Sequence, residues 1–203
     1  MSSTEKIARI RISLEDIAPE IWRRVEVPVS LHLKGLHDVI QAVVGWEDYH
    51  LFEFRIGEKI YGIPAPGEDY GRKILWGRSM RLATLIAKGI ERFDYIYDFG
   101  DDWRHVVTIE AVNEADPSLL YPRFVNGARS CPPEDAGGPP GYERFLKAIA
   151  NRRHPDHREM LAWHGGPFDP EHIDLAKLRF RLAGIVHRRE TGKLAFEKSR
   201  MPR

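Results

Sequence analysis

Cysteine is nearly absent from this chain: a single one, Cys131, stands among 203 residues. One thiol excludes an internal disulfide and a thiolate zinc site. A nucleophilic thiol needs a neighbouring base or helix N-terminus to lower its pKa, and Cys131-Pro132-Pro133 supplies neither locally, so a small half-buried residue is the simpler reading. Long apolar runs are missing too. None exceeds a few residues, so no segment can cross a bilayer and no membrane partner is expected. The opening residues, MSSTEKIARIRI, carry Glu5, Lys6, Arg9 and Arg11 without an apolar signal core, which leads us to expect a cytoplasmic protein. Internal repeats and low-complexity tracts are absent.

No sign of charge prevails overall, since the net charge is +1, but its distribution is uneven. Residues 177–203 hold nine Lys or Arg against Glu190 and Glu197, a net of +7, which leaves −6 for the other 176 residues. Such a basic tail can hold a nucleic-acid backbone or an acidic partner, or it can be the solvated face of a helix. With 42% hydrophobic and 30% charged residues, the chain can bury a full core.

Periodicity sketches the fold. Residues 7–14 alternate as a strand, Ala18-Pro19 interrupts, and 21–27 resume the pattern before Pro28, which predicts a hairpin. Leu33, Leu36, Val39, Ile40, Val43 and Val44 then fall at helical spacing up to Gly45. Strands are expected at 50–56, 59–61, 93–99 and 103–112, a short helix at 82–88, and loops at 62–73 and 117–141. Three helices, near 142–150, 155–164 and 174–189, complete the chain. The expected class is α+β: a single mainly antiparallel (mixed) sheet with a β-grasp-like ββαβ start, helices packed on it and a C-terminal helical annex. In domain terms this is one α+β unit over 1–185, with 117–141 a long irregular loop and 142–185 the annex, followed by a basic tail at 186–203.

The densest chemistry lies in "YDFGDDWRH", Tyr97 to His105. Gly beside Asp between two β-rich runs signals a tight turn. A loop of 101–102 or of 100–103 sets Asp98 opposite His105, whereas a loop of 100–102 sets it opposite Arg104. Three readings stay open. In the first, the carboxylates cap the turn while Tyr95, Tyr97, Phe99 and Trp103 fill core and rim. In the second, Tyr97, Asp98, Asp101, Asp102, Trp103 and His105, with Glu134 and Asp135, form a binding surface for a ligand or a protein. The third is a hard-metal or acid–base site on Asp98, Asp101, Asp102, His105 and Glu134. Oxygen-rich sets of this kind suit Mg²⁺ or Mn²⁺, although the spacing matches no strong metal motif.

Five segments occur in order: "PEIWRRVEVP" (19–28), "LHDVIQAVVGWEDYHLFEF" (36–54), "YDFGDDWRH" (97–105), "CPPEDAGGPPGYERFL" (131–146) and "HPDHREMLAW…GPFDP" (154–170). Together they resemble the Ri-plasmid open-reading-frame-three-like family, also described as passenger proteins of insertion elements with a resolvase-like label. The resemblance spans roughly residues 7–185. It implies a protein carried on plasmids, transposable elements and chromosomes, and it makes 97–105 and 131–138 hallmarks without assigning them a reaction. The resolvase label finds no support in the residues. A serine recombinase needs an activated Ser among arginines, and no such setting surrounds Ser2, Ser3, Ser13, Ser30, Ser79 or Ser118. Arg179 departs from the Asn that the family pattern leads us to expect.

Other features have simpler readings. His157 and His164 could stand two helical turns apart on one face, but a solvated helix accounts for them, and His37 on the first helix reads as a partly buried, hydrogen-bonded histidine. Gly137-Gly138 precedes a helix yet lacks the Lys and the strand of a phosphate loop. Trp22 and Trp46 should anchor the hairpin and the end of the first helix, and Trp163 should pack the annex. The expectation is therefore a non-catalytic binding or interaction module of mobile elements that needs no cofactor. The alternative is a divalent-metal phosphoesterase or nuclease, and a nucleic-acid partner through 177–203 is the third possibility. We further expect 117–141 to fold back so that Pro132 to Asp135 rests on the rings of Tyr97, Phe99 and Trp103.

Overall fold

A computed structural model describes residues 5–64 and 71–199. Ser2 and Ser3, residues 65–70 of the 62–73 loop and residues 200–203 of the tail lie outside the described residues. The opening hairpin forms as its alternation dictates, with β1 (Lys6–Leu14) antiparallel to β2 (Ile21–Pro28). Helix α1 (Leu33–Val44) follows, and Gly45 closes it at φ 101°, a left-handed conformation that glycine adopts without steric cost. Then come β3 (Phe52–Ile56), β4 (Lys59–Gly62), β5 (Ile74–Trp76), α2 (Leu82–Ala87), β6 (Arg92–Tyr97) and β7 (Trp103–Glu114). The chain ends with β8 (Arg123–Ala128), α3 (Gly138–Ala150), α4 (His157–His164) and α5 (Leu175–Ser199).

One eight-stranded sheet runs in the order β5-β4-β3-β6-β7-β1-β2-β8. Its neighbours are antiparallel except β4 and β5, so the α+β class with a mixed, mainly antiparallel sheet holds. Two strands escape the sequence reading. β8 lies inside the segment expected to be irregular, and β5 is a three-residue edge strand that begins just past the 62–73 loop. Helix α5 also continues to Ser199, past the expected end at 189, so much of the basic tail is helical.

The two faces of the sheet differ. On one, Phe52, Phe54, Tyr95, Tyr97, Trp103 and Val107 are buried and join α1, Tyr142 and Phe145 of α3, and Leu178 and Leu182 of α5 in one hydrophobic cluster. Burying each such ring contributes about 1.5–3 kcal/mol. The other face carries a charged lattice: Glu26 binds both Arg9 and Arg123, and Arg24 binds Glu110. This division brings α1, the segment after β8 and the end of the β6–β7 hairpin to the same end of the buried layer.

Candidate functional site

The β6–β7 hairpin pairs Tyr97 with Trp103 and Tyr95 with His105. Its loop is therefore the five residues 98–102, and neither expected register occurs. Asp98 faces neither His105 nor Arg104 but opens the turn, because Asp98 and Asp102 both adopt left-handed φ, 56° and 55°. Aspartate tolerates that region better than most side chains. Asp98 Oδ1 accepts the N–H groups of Gly100 (3.0 Å) and Asp101 (3.3 Å), and the Asp102 N–H donates to the Asp98 carbonyl at 2.6 Å. Asp102 itself pairs with Arg104.

Residues 131–137 fold back onto this turn, as expected. Trp46 Nε1 donates to the Pro132 carbonyl at 2.9 Å, and the Gly137 N–H donates to Asp101 Oδ2 at 2.9 Å. The platform differs from the expected one, however. Tyr97 and Trp103 are core residues, and only Phe99 of the three rings is exposed. Tyr97 instead reaches the junction through its hydroxyl. It accepts from the N–H of Tyr49 at 3.0 Å and of His50 at 3.3 Å, and donates to Glu134. Burial, reinforced by the Glu134 carboxylate, holds that phenol protonated far above its ordinary range. The other oxygen of Glu134 accepts the Glu47 N–H at 2.7 Å. Loop 45–50, the hairpin turn and the 131–137 segment are thereby fastened together.

At their meeting point stand His50, Asp98 and Asp135. His50 Nε2 lies 2.8 Å from Asp135 Oδ1 and 3.6 Å from Asp98 Oδ2, and one ligand atom from each residue falls within 4.8 Å of the others. This trio could hold a divalent cation, or His50 alone could neutralise the two carboxylates. Its chain neighbours include two exposed rings: Tyr49, next to His50, is 75% exposed, and Phe99, next to Asp98, is 38% exposed with the Arg72 guanidinium 5.7 Å from its centre.

The eight expected site residues thus divide. Asp98 and Asp135 converge; Glu134 and Tyr97 hold the junction; Asp101 anchors Gly137; Asp102 turns to Arg104. Trp103 and His105 belong to the core, and His105 is too deep to join the carboxylates. Its Nδ1 has no hydrogen-bond partner among the described residues, and burial pushes its pKa down to about 4. Sequence reasoning misses His50, because its alternation places it on one face of a strand; only the pairing of β3 with β6 sets it beside the turn.

A second constellation lies deeper. His37 is fully buried, stacked on Phe52 at 3.6 Å between ring centres, with Nε2 2.7 Å from Asp48 and Nδ1 2.9 Å from the Tyr95 hydroxyl. Gln41 Nε2 donates to that hydroxyl, and Gln41 Oε1 accepts the Asp48 N–H. Burial lowers the His37 pKa against the pull of Asp48. For Asp48 partial burial works upward, yet its bonds to His37 and Lys34 win and hold it below the usual carboxylate range. His37 is hydrogen-bonded as expected, but it is fully buried rather than partly so. His157 and His164 lie apart from both groups, bonded to the carbonyls of Ala148 and Gly166.

Comparison with known proteins places this geometry in context. The family model described as plasmid pRiA4b ORF-3-like protein matches residues 6–177. The chain is 38% identical over 164 residues to uncharacterized protein y4hQ of Sinorhizobium fredii (strain NBRC 101917 / NGR234), a match covering 78% of this chain and 81% of the relative. The crystal structure of the protein of unknown function MM3350 from Methanosarcina mazei Go1 superposes with a TM-score of 0.77 at 32% identity. That match covers 85% of this chain and 97% of the other.

Proposed function

The chain belongs to the plasmid pRiA4b ORF-3-like family, and from that premise we propose that it is a non-catalytic binding module. Its contact face is the corner formed by residues 47–50, 98–102 and 134–135, and its partner presents a cationic group. One observation carries this reading: exposed Tyr49 and Phe99, next in the chain to His50 and Asp98, accompany a carboxylate pair whose close positive partner among the described residues is His50, and the Phe99 ring already takes a cation, the Arg72 guanidinium 5.7 Å from its centre. Aromatic anchors beside charged groups are the usual composition of an energetic hot spot. The acid–base groups around them, by contrast, are engaged in fastening loops: Tyr97 with Glu134, Asp101 with Gly137, Asp102 with Arg104. We extend the reading to a cytoplasmic protein carried by plasmids and mobile elements.

A second reading is favoured by the same trio. His50, Asp98 and Asp135 present a donor set suited to Mg²⁺, Mn²⁺ or Zn²⁺, as a metal-dependent phosphoesterase would require. The two readings separate experimentally. Metal analysis of the purified protein is followed by thermal unfolding with each cation, then with a lysine-rich oligopeptide, and by assay on bis(p-nitrophenyl) phosphate. The binding reading expects a saturable rise in Tm with the peptide that weakens in Asp135→Asn and in Tyr49→Ala, with no hydrolysis. Bound metal together with hydrolysis that Asp98→Asn abolishes would replace it with the enzyme reading. No response to the peptide would sink it.

A further inference from the structure

Beside the acidic corner, and sharing Glu134 with it, lies a feature that the corner does not use. Arg23, on β2, is 3% exposed, yet among the described residues no carboxylate lies within ion-pairing distance of it. Its guanidinium is held by backbone alone. Nε donates to the Val43 carbonyl and Nη1 to the carbonyls of Trp22 and Ala128, each at 2.9 Å. Val43 lies in the last turn of α1, so the negative end of that helix offsets part of the charge. Nη2 forms no hydrogen bond among the described residues. That edge is not among the solvent-sealed unpartnered atoms, so a ligand can reach it, and a guanidinium otherwise held only by neutral carbonyls favours an anion there.

Arg23 lines a cleft of about 410 Å³, together with the end of α1, residues 130–134 and the start of α5. That volume suits a small ligand. Lys177 and Arg181 stand on the same wall, as do three carboxylates. Each of these already accepts donors: Glu134 from Tyr97 and Glu47, Asp169 from the Glu171 N–H, Asp174 from the Lys177 N–H. None of them reaches Arg23. We propose that this cleft binds a small oxyanion, a phosphate or carboxylate group, with Arg23 as its buried anchor and Lys177 assisting from the wall. Planar N–H donors on a guanidinium match the paired oxygens of such groups.

The single cysteine supplies the readout. Cys131 lines the same cleft, and burial raises its thiol pKa, so its reaction with a small neutral reagent is slow and depends on access. Alkylation of the full chain by iodoacetamide is followed by mass spectrometry in sodium phosphate, sodium succinate and sodium chloride at equal ionic strength. The expected result is saturable protection by phosphate or succinate, slowing the reaction about tenfold at ten times the half-saturating concentration. The tighter of the two identifies the ligand class. A rate that chloride lowers equally, or that no anion lowers, overturns the proposal. Arg23→Gln should abolish protection, and protection retained in that variant would also overturn it. Should Arg23→Gln fail to fold, Lys177→Gln must raise the half-saturating concentration severalfold, and an unchanged value decides against the site. The cleft shares Glu134 with the acidic corner and Lys177 pairs with Glu47, but none of these arms alters His50, Asp98 or Asp135, so failure of the cleft and failure of the corner are told apart.

Discussion

The Tyr97 hydroxyl meets three segments at once, taking the N–H groups of Tyr49 and His50 and giving its proton to Glu134. Tyr97→Phe keeps the ring stacked on Trp46, 4.9 Å away between centres, but leaves two backbone donors and one carboxylate oxygen without that partner. Unsatisfied buried groups cost about 1–3 kcal/mol, so urea unfolding of this variant should lose about that much, through a lower midpoint with an unchanged slope. A midpoint equal to that of the unaltered chain would show that the hydroxyl does not fasten the junction. His105 governs a different property. Its pKa of about 4 in the folded chain lies below the ordinary 6.5, with burial the cause. A base depressed by folding leaves stability complete above the unfolded value. As pH falls from about 6.5 to 4, the unfolded chain binds a proton that the native state refuses, and stability declines by an amount on the order of 3 kcal/mol. His37, also depressed by burial, acts in the same direction. His105→Leu should therefore flatten, without abolishing, the loss of Tm between pH 7 and 4, and an acid limb of unchanged steepness would contradict the assignment.

Among the elements, the seating of the 131–137 segment on the hairpin turn is the feature a glycine pair can test. Gly138 opens α3 at φ 66°, and a Cβ there would lie 2.4 Å from the Asp101 carbonyl oxygen. Gly137, at φ 82°, has nothing closer than 3.5 Å to such an atom. Gly137→Ala should thus cost only the left-handed penalty of about 1–2 kcal/mol, whereas Gly138→Ala adds a backbone clash and should cost distinctly more. Equal melting temperatures for the two variants would mean that the turn and the segment are not in contact. Legibility in the sequence divides along similar lines. Elements whose apolar residues repeat cleanly, such as β1, β2, α1 and the β6–β7 hairpin, are readable because burial on one face forces that repeat. β8 is not, since Arg123, Asn126 and Gly127 break the alternation in a strand held by one neighbour, β2, at the sheet edge. The hairpin register escapes for a local reason. Two aspartates adopt the left-handed conformation that Gly100, the obvious turn residue, is expected to take, and so lengthen the loop to five residues. The return of residues 132–135 to the hairpin is legible, because a Pro-rich segment poor in aromatics must rest on a core built elsewhere. His50 requires the tertiary pairing.

At the scale of the whole molecule, charge is sorted by surface. The face of the sheet opposite the aromatic layer is an ion-pair lattice, the junction end carries carboxylates, and α5 carries the cations. Helix formation through the tail changes what those cations can do. Arg189 and Lys193 reach Glu5 and Glu190, while Lys177 and Arg181 reach Glu47, so these four are already partly neutralised. Arg179 and Arg188 have no carboxylate partner among the described residues and are exposed. A polyanion bound along this helix would have to compete with Glu5 and Glu47, and exposed pairs of this kind, worth about 0–1 kcal/mol each, yield readily to a phosphate backbone. Deleting residues 187–203 removes Arg188, Arg189, Lys193, Lys198, Arg200 and Arg203 but no fully buried side chain among the described ones. Stability should therefore change by less than about 1 kcal/mol. If the helix binds nucleic acid, the slope of log affinity for duplex DNA against log salt concentration should flatten by about 0.9 for each phosphate that the shortened chain no longer neutralises. A truncated chain that folds normally and keeps the original slope would remove nucleic acid from the partners of this helix and leave its cations to Glu5, Glu190 and the solvent.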